Sequence, residues 1–78
     1  MTPNHIERRL KVCRLYLTSK VRMGNHTRFN LWCGLIINVY DSGKVVVQGH
    51  IRAFDYYDPI PVLEGILPFD TAWRFSRR

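Results

Sequence analysis

The sequence predicts an α+β domain built as an amino-terminal helix, a three-stranded antiparallel sheet and a short carboxyl-terminal helix, with residues 1–78 forming a single domain. Three observations predict it. Ile6, Leu10, Cys13 and Leu17 repeat at helical spacing behind Thr2-Pro3, a cap-and-first-turn pair. Phe29 to Tyr40 alternates apolar and other residues, and Asp58-Pro59 precedes a second apolar run at Val62, Leu63, Ile66 and Leu67. At 78 residues the chain sits toward the lower end of what one hydrophobic core stabilises.

The first element reads as a helix with Arg8, Lys11 and Arg14 pointing outward. The competing reading is a strand beginning near Leu10, because Lys11 to Thr18 also alternates. Either element ends before Gly24-Asn25, a turn signal.

In the middle of the chain Phe29, Leu31, Cys33, Leu35, Ile37 and Val39 are all apolar, the period-two signature of a strand face on a core. Gly34 divides this run into two strands, since twelve residues is long for one. Tyr40-Asp41-Ser42-Gly43-Lys44 is a hairpin closure with Gly43 in the left-handed region. Placing Tyr40 opposite Lys44 pairs Val39 with Val45, Asn38 with Val46, Ile37 with Val47, Ile36 with Gln48 and Gly34 with His50. One face of the sheet is then entirely apolar. The other collects Trp32, Asn38, Tyr40, Lys44, Gln48 and His50, with Ile36 and Val46 among them.

Asp55-Tyr56-Tyr57-Asp58-Pro59 reads as a loop. Asp58 caps the second helix, Pro61 falls in its first turn, and Pro68 ends it. The tail, with Trp73 and Phe75 on alternate positions, fits either a last strand or a helical turn capped by Asp70.

The net charge is +6. Its distribution is uneven: residues 1–28 hold Arg8, Arg9, Lys11, Arg14, Lys20, Arg22 and Arg28 against Glu7 alone, whereas the segment from Asp55 onward is near neutral. A one-sided basic surface attracts polyanions through a salt-sensitive field. The sequence therefore predicts a nucleic-acid-binding module for RNA, DNA or a hybrid. It would use Arg8, Lys11, Arg14, Lys20, Arg22, Arg28 and Arg52 for charge, and Trp32, Asn38, Tyr40, Lys44, Gln48 and His50 on the open sheet face.

Cys33 to Gly49, an apolar-x-apolar-x-Tyr strand running through Ser42-Gly43-Lys44 into a return strand ending in Gln48-Gly49, resembles the central hairpin of TATA-binding-protein-like modules. The closest flavour is the amino-terminal substrate-binding domain of ribonuclease HIII and related modules of RNase toxins. The resemblance implies a curved antiparallel sheet gripping a nucleic-acid duplex or hybrid, with helices behind it. The chain is short for a complete module, and Pro61 and Pro68 truncate its second helix. Double-stranded-RNA-binding domains share the helix, three strands, helix order, but they carry a Lys-rich start to the last helix where this chain has Asp58-Pro59-Ile60-Pro61.

Two other functions compete. A phage or mobile-element protein that inhibits a host nuclease or defence complex, in the manner of an anti-CRISPR, would use Phe54, Tyr56 and Tyr57 as protein anchors. An RNase toxin would use His50 beside Arg52, or His26 beside Arg28, as a general base with an electrophilic partner. The expectation is a non-enzyme without catalytic residues. No metal or cofactor is expected either, because His5, His26, His50, Cys13 and Cys33 show no ligand spacing and Asp55 and Asp58 are explained by turns and capping. Cys13 and Cys33 are expected as free thiols. The opening Met-Thr-Pro-Asn-His lacks the basic-then-apolar run of a signal peptide and no apolar stretch reaches spanning length, which predicts a cytoplasmic location and no membrane partner. In that compartment Asn25-His26-Thr27 is no glycosylation site. A homodimer is left open.

Overall fold

In a computed structural model, residues 2–51 and 58–77 form two helices and a five-stranded mixed sheet. The order is α1 (Pro3–Val12), β1 (Leu17–Met23), β2 (His26–Leu31), β3 (Leu35–Tyr40), β4 (Val45–Ile51), α2 (Ile60–Ile66) and β5 (Ala72–Arg77). Strands lie side by side in chain order; β1 to β4 form an antiparallel meander, and β5 joins β4 in parallel. A parallel partner needs a crossover, and α2 lies in it. The predicted three-stranded antiparallel sheet is therefore corrected to five strands of mixed direction, and the order is not helix, three strands, helix.

The first correction lies at the end of α1. Thr2 caps its start by accepting a hydrogen bond from the His5 amide, as the sequence suggests. The helix stops at Val12 rather than running on to Leu17. Arg14 takes φ 60°, its amide bonds the Lys11 carbonyl, and the Leu15 amide bonds the Leu10 carbonyl. This is the Schellman arrangement, in which a left-handed residue closes the last carbonyls and two flanking apolar side chains meet. Leu10 and Leu15 are both fully buried. Leu17, expected on the helical stripe, instead opens β1 opposite Leu31.

β1 escaped the sequence reading because its core-side positions are not apolar. A bulge between Leu17 and Ser19 shifts the register, so Lys20 pairs with Phe29 and Arg22 with Thr27 on the helix side of the sheet. Lys20 reaches Glu7 of α1 at 2.7 Å, and Arg22 makes a two-pronged contact with Asp41 at 2.8 and 2.6 Å. Inward-pointing charge on an edge strand is a recognised way to discourage edge-to-edge aggregation.

The hairpin register holds. Leu35 to Val39 pair with Gly49 to Val45 as predicted, Gly43 sits at φ 94°, and the Tyr40 amide bonds the Lys44 carbonyl. Ile6 and Leu10 of α1, Leu63 of α2 and the alternate residues Phe29, Leu31, Leu35, Ile37, Val39, Val45, Val47 and Ile51 form one core, all nearly inaccessible. Asp58 accepts from the Ile60 amide at the start of α2. The tail is the strand option: Trp73 and Phe75 pack against the core edge to face at 6.3 Å, which sends Arg74 to the other side.

The Arg22 guanidinium beside Asp41 holds that carboxyl below the ordinary carboxylate range. The folded carboxylate thus holds its proton less tightly than the unfolded one. The contribution is present above the unfolded value and is lost as pH falls through the depressed one. Both groups are exposed, so the effect on stability is small. An NMR titration of the Asp41 carboxyl is expected to show a depressed midpoint that rises in Arg22→Ala; a midpoint indifferent to that substitution rules the pair out.

Candidate nucleic-acid interface

Both helices bury their apolar residues on one side of the sheet, and no described element packs on the other. Strand pairing sorts the open face into four rows. Met23, His26, Tyr40 and Lys44 form one end. Val21, Arg28, Asn38, Val46 and Ala72 follow, then Ser19, Asn30, Ile36, Gln48 and Arg74, and Gly34, His50 and Ser76 form the far end. Side-chain contacts agree with this sorting: Asn30 donates to Ser19, His50 bonds Ser76, and the His26 and Tyr40 rings stack at 4.6 Å.

No acidic residue lies in any of these rows. Among the described residues, Glu7 and Glu64 are on helices, Asp41 is in the hairpin turn and bound to Arg22, and Asp58 and Asp70 flank α2. Arg28, Lys44 and Arg74 therefore act on the face without a carboxylate of the described residues beside them there. Lys44, Gln48, His50 and Arg74 are exposed.

The sequence-predicted residues do not all meet. Arg8, Lys11 and Arg14 are exposed on α1 and its carboxyl end, on the opposite side of the sheet from Tyr40 and Gln48. Lys20 and Arg22 also face the helix side and are engaged by Glu7 and Asp41. Of the basic amino-terminal third, Arg28 alone reaches the open face. Its Nε is buried without a hydrogen-bond partner, so this side chain is packed as well as charged. Asn38 is on the expected face but only 4 % exposed, closed in by its cross-strand neighbours Arg28 and Val46. Trp32 lies in the connection between β2 and β3, half-buried and packed partly against the core. Arg52, Phe54, Tyr56 and Tyr57 lie outside the described residues.

Sequence reasoning missed Arg74, and did not place His26 or Asn30 on this face. Arg74 had a signal: once Trp73 and Phe75 point inward on a strand, the residue between them points outward. His26 and Asn30 become legible only when β2 is extended back from Phe29 to the turn at Gly24-Asn25.

His26 and His50 stand at opposite ends of β3, roughly 20 Å apart at about 3.4 Å per residue. They cannot serve one scissile bond as an acid–base pair, which demands hydrogen-bond reach from both. Among the described residues no three His, Cys, Asp or Glu side chains gather as a metal site. Cys33 is buried, and burial pushes its thiol up, away from the reactive thiolate. No helix among the described residues is long and apolar enough to cross a membrane.

Comparison with family models, with curated proteins and with solved structures finds no match for this chain. The hairpin likeness to TATA-binding-protein-like modules therefore stands on the residues from Cys33 to Gly49 alone.

Proposed function

We propose that this chain is a nucleic-acid-binding module that holds an unpaired strand across the open face of its sheet. The observation that carries the reading is the acid-free face, on which Arg28, Lys44 and Arg74 surround the amides of Asn30 and Gln48 and the stacked His26–Tyr40 pair. Cations there suit phosphates, amides suit base edges, and a ring offers a base its flat side. Five strands at about 4.8 Å spacing make a face roughly 19 Å wide, more than the ~12 Å of a duplex major groove. A strand with its bases splayed out lies on such a surface, whereas an intact duplex touches it only with its backbone.

Fluorescence anisotropy with labelled single-stranded DNA, single-stranded RNA, duplex and hybrid tests this. Affinity for the single strands is expected to exceed that for the duplex and to fall with salt at a logarithmic slope of about −0.7 per phosphate engaged. Lys44→Ala and Arg74→Ala should each reduce the slope by about 0.7 and leave the melting temperature unchanged, since both side chains are exposed. Arg28→Ala is a poorer probe because its stem is packed into the face. Absence of binding to all four ligands at low salt overturns the reading.

A further inference from the structure

On the side of the molecule away from the sheet's open face, α1 and the end of α2 border a furrow of about 400 Å³ lined by His5, Arg8, Arg9, Val12, Cys13 and Ile66. Residues 5, 8, 9 and 12 are spaced i, i+3, i+4, i+7, so they form one stripe along α1 beside the stripe of Ile6 and Leu10 that enters the core. The stripe is divided. Its amino-terminal part is cationic, with the Arg9 Nε donating to His5 Nε2 at 3.2 Å, and its carboxyl-terminal part is apolar, with Val12 83 % exposed beside Cys13 and Ile66.

We infer that this furrow is a docking site for an acidic peptide segment of a partner protein, one that carries an apolar anchor about one helical turn from its carboxylates. Charge complementarity selects the acid. Among the described residues no carboxylate lines the furrow, and Glu7, the one acid of α1, is turned away to Lys20. Exposed Val12 beside half-buried Ile66 selects the anchor, because leucine- or phenylalanine-sized side chains gain by covering the apolar surface they leave. The shape selects a peptide over a small molecule. With Val12 so exposed, the furrow cannot enclose the 70–90 % of surface that a small-molecule site typically buries. From residue 5 to residue 12 it runs about 10 Å along α1, two turns of a docked helix. A nucleic-acid strand would satisfy the arginines and leave the apolar half uncovered. The site is independent of the sheet face and does not rest on its proposed function.

The test uses the intact chain and a fluorescein-labelled peptide with leucines and glutamates at helical spacing. Saturable binding is expected, at least about tenfold weaker in Arg8→Glu/Arg9→Glu and in Val12→Ser. Arg74→Glu, on the far face, should stay within about twofold of the parent. Bound peptide should also slow alkylation of Cys13, read by mass spectrometry, since that thiol lines the furrow. All the substituted positions are exposed, and circular dichroism checks that the fold is kept. The inference is overturned by absence of saturable binding, by equal loss in Arg74→Glu, or by undiminished binding of a control peptide with serine in place of leucine. Displacement of the peptide by a single-stranded oligonucleotide in the Arg74→Glu background overturns it too, because the occupant would then be nucleic acid.

Discussion

Gly49→Ala is expected to lower the melting temperature of this chain by about 8–16 °C, corresponding to a loss of about 2 kcal/mol for a domain of this size. Gly49 sits inside β4 at φ 107°, where an L side chain is strained. An added Cβ would lie 2.7 Å from the Gly34 carbonyl oxygen and 3.3 Å from the Ile36 amide nitrogen, both main-chain atoms that cannot swing aside. The strain and the overlap act together, so part of the β3–β4 ladder must open to relieve them. Against a total of about 4–12 kcal/mol for a chain of this length, that is a substantial fraction. Gly65→Ala provides the opposite sign. It lies exposed in α2 with nothing within 4 Å of an added Cβ, and alanine there should stabilise by about 0.5–1 kcal/mol. Thermal unfolding followed by circular dichroism measures both. An unchanged melt for Gly49→Ala would mean that the positive-φ backbone at Gly49 and its close approach to Gly34 are not built as described.

The parts of the fold that were legible in the sequence are those where local chemistry and tertiary demand agree. The β3–β4 register could be written down because a turn with a left-handed glycine fixes one end and an unbroken apolar alternation fixes the faces. β1 was illegible for the opposite reason. Its core-side positions carry Lys20 and Arg22, whose charges are answered by Glu7 and Asp41, so the alternation with Val21 and Met23 points the apolar side chains away from the core and gives the wrong face. The end of α1 was misplaced because the left-handed closing position is taken by Arg14, where a glycine would have announced it. Pairing of β5 with β4 depends on a crossover through α2, a non-local choice that neither strand encodes by itself.

The candidate site shows the same division. Parity along β3 and β4 put Tyr40, Gln48 and His50 on the open face correctly, but parity does not report how neighbours cover a residue, and Asn38 is closed in at the sheet centre. Clustering of basic residues in the first third of the sequence suggested one continuous surface. α1 buries Ile6 and Leu10 on the sheet side opposite Gln48, so the chain's cations form two separate faces.

That separation decides the largest expected effect on binding. Lys44→Glu/Arg74→Glu and Arg8→Glu/Lys11→Glu change the net charge by the same amount at exposed positions on opposite sides of the sheet. A uniform electrostatic attraction would respond to both alike. If phosphates sit on the sheet face, the first pair removes two charge-assisted contacts, each worth about 1.5–3 kcal/mol, and places repulsive carboxylates where they had been. The affinity for a single strand should then fall at least about a hundredfold at about 0.1 M salt. The second pair alters only the long-range field, which is screened over about 10 Å at 0.1 M salt, and should cost about tenfold or less. Anisotropy titrations at matched ionic strength distinguish the cases. Equal losses would reduce the binding to nonspecific attraction by net charge, and a larger loss from the α1 pair would move the nucleic acid to the helical side of the molecule.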